Sequence, residues 1–215
     1  MMQAYKKGYT LNEMIITVLV IMVIAIYMIS VMSNKIKDVE YVIALKKANA
    51  TLSESLTKIK ANNGGFINVG KGTGDSYNKA LRDDFCKVLK CSKTDITSNI
   101  FGSVEYRWYK GRTMGWPGNL GTAPAAVLNN GYFMRFYSYA DCIHANVNAC
   151  GYIDIDINGK NDPNMMGKDL YSFWIAKQNG NYALVPFGVP QDGYFCQEND
   201  WGCTAVRLYK PENMP

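Results

Sequence analysis

The sequence predicts an α+β protein: a long N-terminal α-helix, half membrane-spanning and half amphipathic, packed against an antiparallel β-sheet head. Three observations carry this expectation. A helix-compatible stretch runs from Thr10 to about Ala61, with no proline before Pro117 and no glycine between Gly8 and Gly64. Segments rich in β-formers succeed one another beyond Ile100, and six cysteines fall in three close pairs after the helix. A long helix followed by strands separates the two kinds of element, so the sheet is expected to cover the apolar stripe on the helix's outer half.

The chain is expected to divide into a short basic segment at 1–8, an apolar helix at 9–33, an amphipathic continuation at 34–62 and a head at 63–215. From Met14 to Met32 there is no Lys, Arg, Asp, Glu, Pro or Gly. At about 1.5 Å rise per residue a helix of that length crosses a hydrocarbon core of roughly 30 Å. Lys6 and Lys7 precede it and bias the N-terminus to the cytoplasmic side, which places everything after residue 33 outside. Glu13 is the costly residue, because a carboxylate at the lipid boundary calls for a positive partner. A secretory signal peptide also starts basic and turns apolar, but Asn34-Lys35-Ile36-Lys37-Asp38 does not offer the small residues its cleavage needs.

Between Lys35 and Lys60 the residues Ile36, Val39, Ile43, Leu45, Ala48, Leu52, Leu56 and Ile59 step mostly by three or four, the mark of an amphipathic helix. Asn62-Asn63-Gly64-Gly65 ends it, with glycine available for a left-handed cap. The glycine-rich run Gly70 to Asp75 lacks the order of a phosphate-binding loop and reads as a flexible connection. Tyr77 to Leu89 reads as a short helix with Leu81, Phe85 and Val88 on one face. Strands are expected at Ser103–Tyr109, Gly131–Tyr139, Tyr152–Ile157, Tyr171–Ala176, Tyr182–Pro186 and Ala205–Tyr209. Asn179-Gly180-Asn181 supplies a hairpin turn between two of them.

At 215 residues and a formal charge of +5, the chain has room for one exterior head. Residues 34–215 carry +4, too mild an excess to argue nucleic-acid binding by itself. Six cysteines allow fifteen connectivities. Local pairing of Cys86 with Cys91, Cys142 with Cys150 and Cys196 with Cys203 is the simplest, in a segment facing an oxidising compartment. Zinc would need a tighter C-x-x-C set with histidine partners, and His144 is the only histidine.

For catalysis the parts are missing: no nucleophile elbow and no paired-carboxylate motif accompany His144, so no enzyme is expected. Tyr106, Trp108, Tyr109 and Trp116, interleaved with Arg107, Lys110 and Arg112, have the composition of a stacking platform for bases or sugars, but such residues are more often strand core and rim.

The segment from Asp154 to Asn164 is rich in oxygen donors. It begins as D-x-D-x-N-G, but the twelfth position from Asp154 is Met165, where an EF-hand needs a bidentate glutamate, so an EF-hand is excluded. Ile153, Ile155 and Ile157 are expected to alternate into the core while the polar residues point out, with Asn158-Gly159 at the turn. Turn-capping hydrogen bonds and a hard cation are both compatible with this composition.

Gly8-Tyr9-Thr10-Leu11-Asn12-Glu13, running into the apolar helix, resembles the prepilins of the type IV pilus and type II secretion superfamily. Their signature is Gly, an aromatic or Met, Thr-Leu-x-Glu and a long apolar helix. The resemblance implies a pilin-like fold and a leader peptide at 1–8, cut between Gly8 and Tyr9 by a prepilin peptidase that N-methylates Tyr9. It implies an assembly role for Glu13, pairing with the Tyr9 amine of a neighbouring subunit and so setting axial register. Val18, Val20 and Ile24 would then pack around the fibre axis. Tyr9 stands where Phe is commoner, and polar Asn12 where an aliphatic residue is usual.

The stretch from Asp156 to Tyr171 is likewise similar to a D-[IV]-N-G-x-x-x-P-N-x-x-G-x-D-x-[FY] segment of pilins and pseudopilins, several of which hold Ca²⁺ in their C-terminal loop. This makes Asp156, Asn158, Asp162, Asn164 and Asp169 candidate calcium ligands. The expected partners are other pilin subunits, the prepilin peptidase, the pilus or type II secretion assembly machinery and the membrane. The expected location is the bacterial inner membrane with the head periplasmic, then an extracellular pilus or a periplasmic pseudopilus. Two rivals remain: a minor tip subunit that binds DNA or a surface, and a signal-anchored periplasmic protein that does not polymerise.

Overall fold

The computed structural model describes residues 10–95, 104–109, 112–114, 124–196 and 201–210, with only the backbone of Asn34. It has two compact units that divide after Glu40. Helix α1 (Leu11–Asn62) begins in the first and ends in the second.

In the first unit the apolar residues of α1 are exposed from Leu11 to Met32. Among the described residues this is the one helix long and apolar enough to cross a membrane. Two of its hydroxyls are satisfied locally: Thr17 Oγ1 donates to the Glu13 carbonyl at 2.7 Å and Ser30 Oγ to the Ile26 carbonyl at 3.1 Å. Such bonds spare a hydroxyl its need for water.

In the second unit the outer part of α1 buries Leu45, Ala48, Leu52, Leu56 and Ile59. Ile36, Val39 and Ile43, expected on the same stripe, are exposed instead. Two residues turn a helix by about 200°, so Ile43 and Leu45 cannot share a face, and the expected stripe is two stripes on opposite sides. The helix ends where expected, with Gly64 and Gly65 both at positive φ.

Helix α2 (Asp75–Leu89) buries Leu81 and Phe85 and ends at Lys90 in the left-handed conformation. The preceding glycine-rich segment is packed, contrary to the expectation of a flexible connection. A Cβ on Gly70 would stand 2.4 Å from Cys142 Sγ, and Ser138 Oγ donates to the Gly72 carbonyl at 3.2 Å.

Six antiparallel strands form one meander in chain order: β1 (Ser92–Thr94), β2 (Ala125–Val127), β3 (Phe133–Ser138), β4 (Ala149–Asp156), β5 (Leu170–Gln178) and β6 (Asn181–Pro186). Strands β3 to β6 fall where the β-former runs put them, and Asn179-Gly180 turns between β5 and β6 with both residues at positive φ. Of the segment expected as a strand at Ser103–Tyr109, Ser103 lies outside the described residues, and Arg107 makes only isolated bridges to Thr113 and Met165. The strand expected at Ala205–Tyr209 is a helix, α3 (Cys203–Tyr209). Ala205 and Leu208 are both buried three positions apart, a helical spacing that so short a run did not distinguish from alternation.

Met134, Phe136, Ile153, Ile155, Phe173 and Ile175 face the α1 stripe, Leu81 and Phe85 in one core. The other face of the sheet is covered as well. Val104, Tyr106 and Met114 lie against Phe133 and Leu170, while Phe187 and Val147 lie against Trp174. Ala205 N donates to the Phe187 carbonyl at 2.8 Å, and Ser172 N donates to Thr204 Oγ1 at 2.9 Å, tying α3 to β5 and the end of β6.

Candidate functional site

Gly8 and Tyr9, the expected processing residues, lie outside the described residues. Glu13 stands in the first turn of α1, where Thr10 N and Thr10 Oγ1 both donate to its Oε2, at 2.8 and 2.9 Å. Glu13 N donates back to Thr10 Oγ1 at 3.4 Å. This reciprocal pattern is the capping box that Thr-x-x-Glu encodes, and it neutralises no charge but satisfies the helix's first amides. The Thr-x-x-Glu spacing is present in the sequence, inside the motif whose resemblance implies an assembly role for Glu13.

The three disulfides pair as expected: Cys86 with Cys91, Cys142 with Cys150 and Cys196 with Cys203. Each staples a local junction. The first closes the end of α2, the second ties the loop before β4 to β4 itself, and the third anchors the start of α3.

The expectation that polar residues of β4 point to solvent is overturned. Asp154 and Asp156 are fully buried, because the sheet's second face carries its own layer. Asp154 pairs with buried Arg135 and accepts from Ser172 Oγ at 2.6 Å. Asp156 accepts from Tyr106 Oη at 2.5 Å and from Asn158 N at 3.0 Å. Tyr106 is thus an interior hydrogen-bond donor, as the core alternative for the aromatic cluster has it, and no part of a stacking surface.

Of the other members of that cluster, Trp108 packs edge-on against Trp201 at 5.2 Å and Arg107 pairs with Glu105 at 3.3 Å. Tyr109 is half-buried and Arg112 exposed, whereas Lys110 and Trp116 lie outside the described residues.

Beyond Asp156 the turn folds on itself. Asp169, also fully buried, accepts from Asn164 N at 2.7 Å and Met165 N at 2.6 Å. Asn158 Nδ2 donates to the Asp162 carbonyl at 3.2 Å, and Asn164 Nδ2 reaches Asp162 Oδ1 at 3.3 Å. Asp162 itself is exposed and stands at the rim, beside a cavity of about 430 Å³ whose walls include Arg107, Lys160, Asp162 and Asn164. The peptide between Asp162 and Pro163 is cis.

Burial pushes the Asp156 carboxyl up to about 7; the Tyr106 hydroxyl opposes the shift and the nearby Asp169 carboxylate adds to it. Burial raises Asp169 as well, against the hydrogen bonds from Met165 and Asn164. The turn therefore brings together Asp156, Asn158, Asn164 and Asp169 in its interior, with Asp162 hydrogen-bonded to Asn158 and Asn164 from the exposed rim.

No family model, curated protein or solved structure matches the chain.

The donor set passes a chemical test for a hard cation. Asn158 Oδ1 and Asn164 Oδ1 are buried with no hydrogen-bond donor, next to two carboxylates that resist ionisation without a counter-charge. Oxygen donors of this kind suit Ca²⁺, which takes 6–8 of them as a rule. The turn-capping bonds expected as the other reading are also present, so both uses of these side chains coexist. Among the described residues no group of three or more His, Cys, Asp and Glu is placed for a metal, so amide oxygens and water would have to complete the shell.

Sequence reasoning missed the buried Arg135–Asp154 pair and the Asp192 carboxylate that accepts from Trp174 Nε1 at 3.0 Å. A signal was available for the first. Arg135 sits between Met134 and Phe136, and Asp154 between Ile153 and Ile155, opposite charges at matching alternation on two adjacent β-former runs.

Proposed function

We propose that this chain is a structural subunit of a type IV pilus or type II secretion pseudopilus, held in the inner membrane by α1 with its head periplasmic, and assembled into a fibre through that helix. The observation that supports it most is the change of character along α1. Its first half offers apolar side chains to the surroundings on every side, and its second half buries one stripe in the head and leaves the other free. A helix apolar all round needs lipid or packed helices about it. Fibre assembly exchanges the first for the second without unfolding the head. No covalent turnover is involved after processing, so the role is not enzymatic.

In this reading prepilin peptidase cuts between Gly8 and Tyr9, and the Tyr9 amine of one subunit meets Glu13 of the next. Asp156, Asn158, Asn164 and Asp169 hold Ca²⁺, a charge that stabilises the turn between β4 and β5. Mass spectrometry of the protein from its native cell tests the processing. The expected mature chain begins at N-methyl-Tyr9 and gains six hydrogens on reduction of its three disulfides. An intact Met1, or a new terminus near Asn34, would overturn the reading.

A second reading has a specific observation in its favour. Thr10 satisfies the Glu13 carboxylate within one chain, as in a membrane anchor that never polymerises. Crosslinking in the native membrane separates the two, since only a fibre subunit forms ladders of this chain with itself or with related subunits.

A further inference from the structure

The sheet face turned away from α1 contains a cavity of about 150 Å³ lined by Tyr139, Tyr152, Trp174, Phe187, Tyr194 and Trp201. Among the described residues every wall is an aromatic ring, and no aliphatic, amide or charged side chain contributes. We propose that this is an aromatic cage for a quaternary ammonium group, a trimethylammonium cation of the choline type. The inference does not depend on the fibre reading.

The rings are set in place by the fold. Tyr152 and Trp174 are cross-strand partners of β4 and β5, in the same row as Tyr137. Trp174 stacks on Phe187 at 3.6 Å, Tyr139 on His144 at 4.0 Å and Tyr152 on Tyr137 at 5.1 Å. Buttressing of this kind fixes the cage before a guest arrives, which lowers the ordering cost of binding.

Asp192 completes the frame. Its buried carboxylate accepts from Trp174 Nε1 at 3.0 Å, Gly188 N at 2.8 Å and Tyr194 N at 2.9 Å, so it orients one wall and holds the backbone of another. Among the described residues no cation pairs with it. The nearby Arg135 guanidinium, 5.5 Å from the centre of the Tyr152 ring, is matched by Asp154. A negative charge thus lies at the Nε1 edge of the Trp174 ring, next to the cage wall that it orients.

Size and chemistry select the guest. A cavity of this volume takes about six heavy atoms, which suits a trimethylammonium head. Ring faces carry negative potential and attract a desolvated cation. A sugar would need planar polar side chains to hold its hydroxyl array, and the lining has none among the described residues. Burial pushes the Tyr152 hydroxyl up to about 12 and raises that of Tyr139 further, so both remain neutral at physiological pH.

The test uses the full chain in a maltoside detergent, with saturation-transfer NMR read on the ligand methyl protons. Choline is titrated against 3,3-dimethylbutan-1-ol, its uncharged isostere. Saturable choline binding is expected, with the isostere weaker by about tenfold or more. Tyr194→Leu is expected to weaken choline by about fivefold, and Tyr194→Phe to restore it, each with an unchanged circular dichroism spectrum. Phosphocholine in a third arm separates the sources: equal binding admits a lipid headgroup, weaker binding restricts the site to a free base, and either supports the cage. Equal affinity for choline and the isostere overturns the proposal in favour of a plain apolar pocket, and so does absence of saturable binding. Should Tyr194→Leu fail to fold, the wild-type comparison of the two ligands still decides.

Discussion

Burial keeps Asp156 protonated up to about pH 7, helped by the charge of Asp169 and opposed by the Tyr106 hydroxyl, whereas in an unfolded chain an aspartate ionises near 3.9. Between those values the folded state binds the extra proton, so the contribution of Asp156 to stability falls as pH rises from about 4 to about 7. The melting temperature in chelator is expected to decline across that window more steeply for the wild type than for Asp156→Asn. Millimolar Ca²⁺ should flatten the decline by favouring the ionised carboxylates. Equal slopes in the two proteins would dismiss the role of Asp156, and indifference to Ca²⁺ and chelator alike would leave the donor cluster with its turn-capping function alone. The Arg135–Asp154 pair calls for a different measurement. Asp154→Asn strands a fully buried guanidinium and is expected to cost about 3–5 kcal/mol in urea unfolding. Replacing both partners with Met and Leu should cost far less, because no charge is then left unpaired.

At the scale of elements, the helix ends, α2, strands β3 to β6 and their hairpin were legible because each rests on a local cause: glycine at positive φ, a 3.6-residue period, or β-former runs between turn residues. Strands β1 and β2, of three residues each, carry too little pattern to be read alone and exist through their pairing with longer neighbours. The inward direction of Asp154 and Asp156 was not legible for a related reason. Alternation shows that two faces differ, but not that a second layer built from Val104, Tyr106, Met114 and the segment around Phe187 covers the polar one. The helix stripe failed through geometry that the sequence did contain, since spacing from Ile43 to Leu45 breaks the period. Leu52→Ala should therefore destabilise the head by about 2–5 kcal/mol, as for a buried leucine. Ile43→Ala should change it by no more than about 0.5 kcal/mol. A comparable loss at both positions in thermal or urea unfolding would contradict the two-stripe arrangement. If Ile43 and its exposed neighbours pack against other subunits, the same Ile43→Ala should lower fibre yield while leaving the head's unfolding unchanged.

For the whole molecule the decisive question is whether Glu13 serves one chain or two. As a capping residue it needs only Thr10, and its loss frays the first turn of α1. As an assembly residue it needs a cation from a neighbour, and its loss removes the charge that sets register in a water-poor fibre core, where an unpaired partner is costly. Glu13→Gln distinguishes these, because the amide keeps an oxygen for Thr10 while discarding the charge. Thr10→Val does the converse, removing the hydroxyl contacts and keeping the carboxylate. If the chain assembles by the proposed pairing, Glu13→Gln should insert into the membrane, fold its head with native disulfides and yet give no fibres, while Thr10→Val should still give them. If Glu13 only caps, the two variants should behave alike in the membrane and the glutamine form should be the milder. Sedimentable fibres recovered by shearing or from an over-expressed secretion system, scored beside membrane-fraction content for both variants, read the difference directly. Full assembly by Glu13→Gln would leave Glu13 with its capping role alone and make the apolar packing of α1, not a charge pair, the source of register.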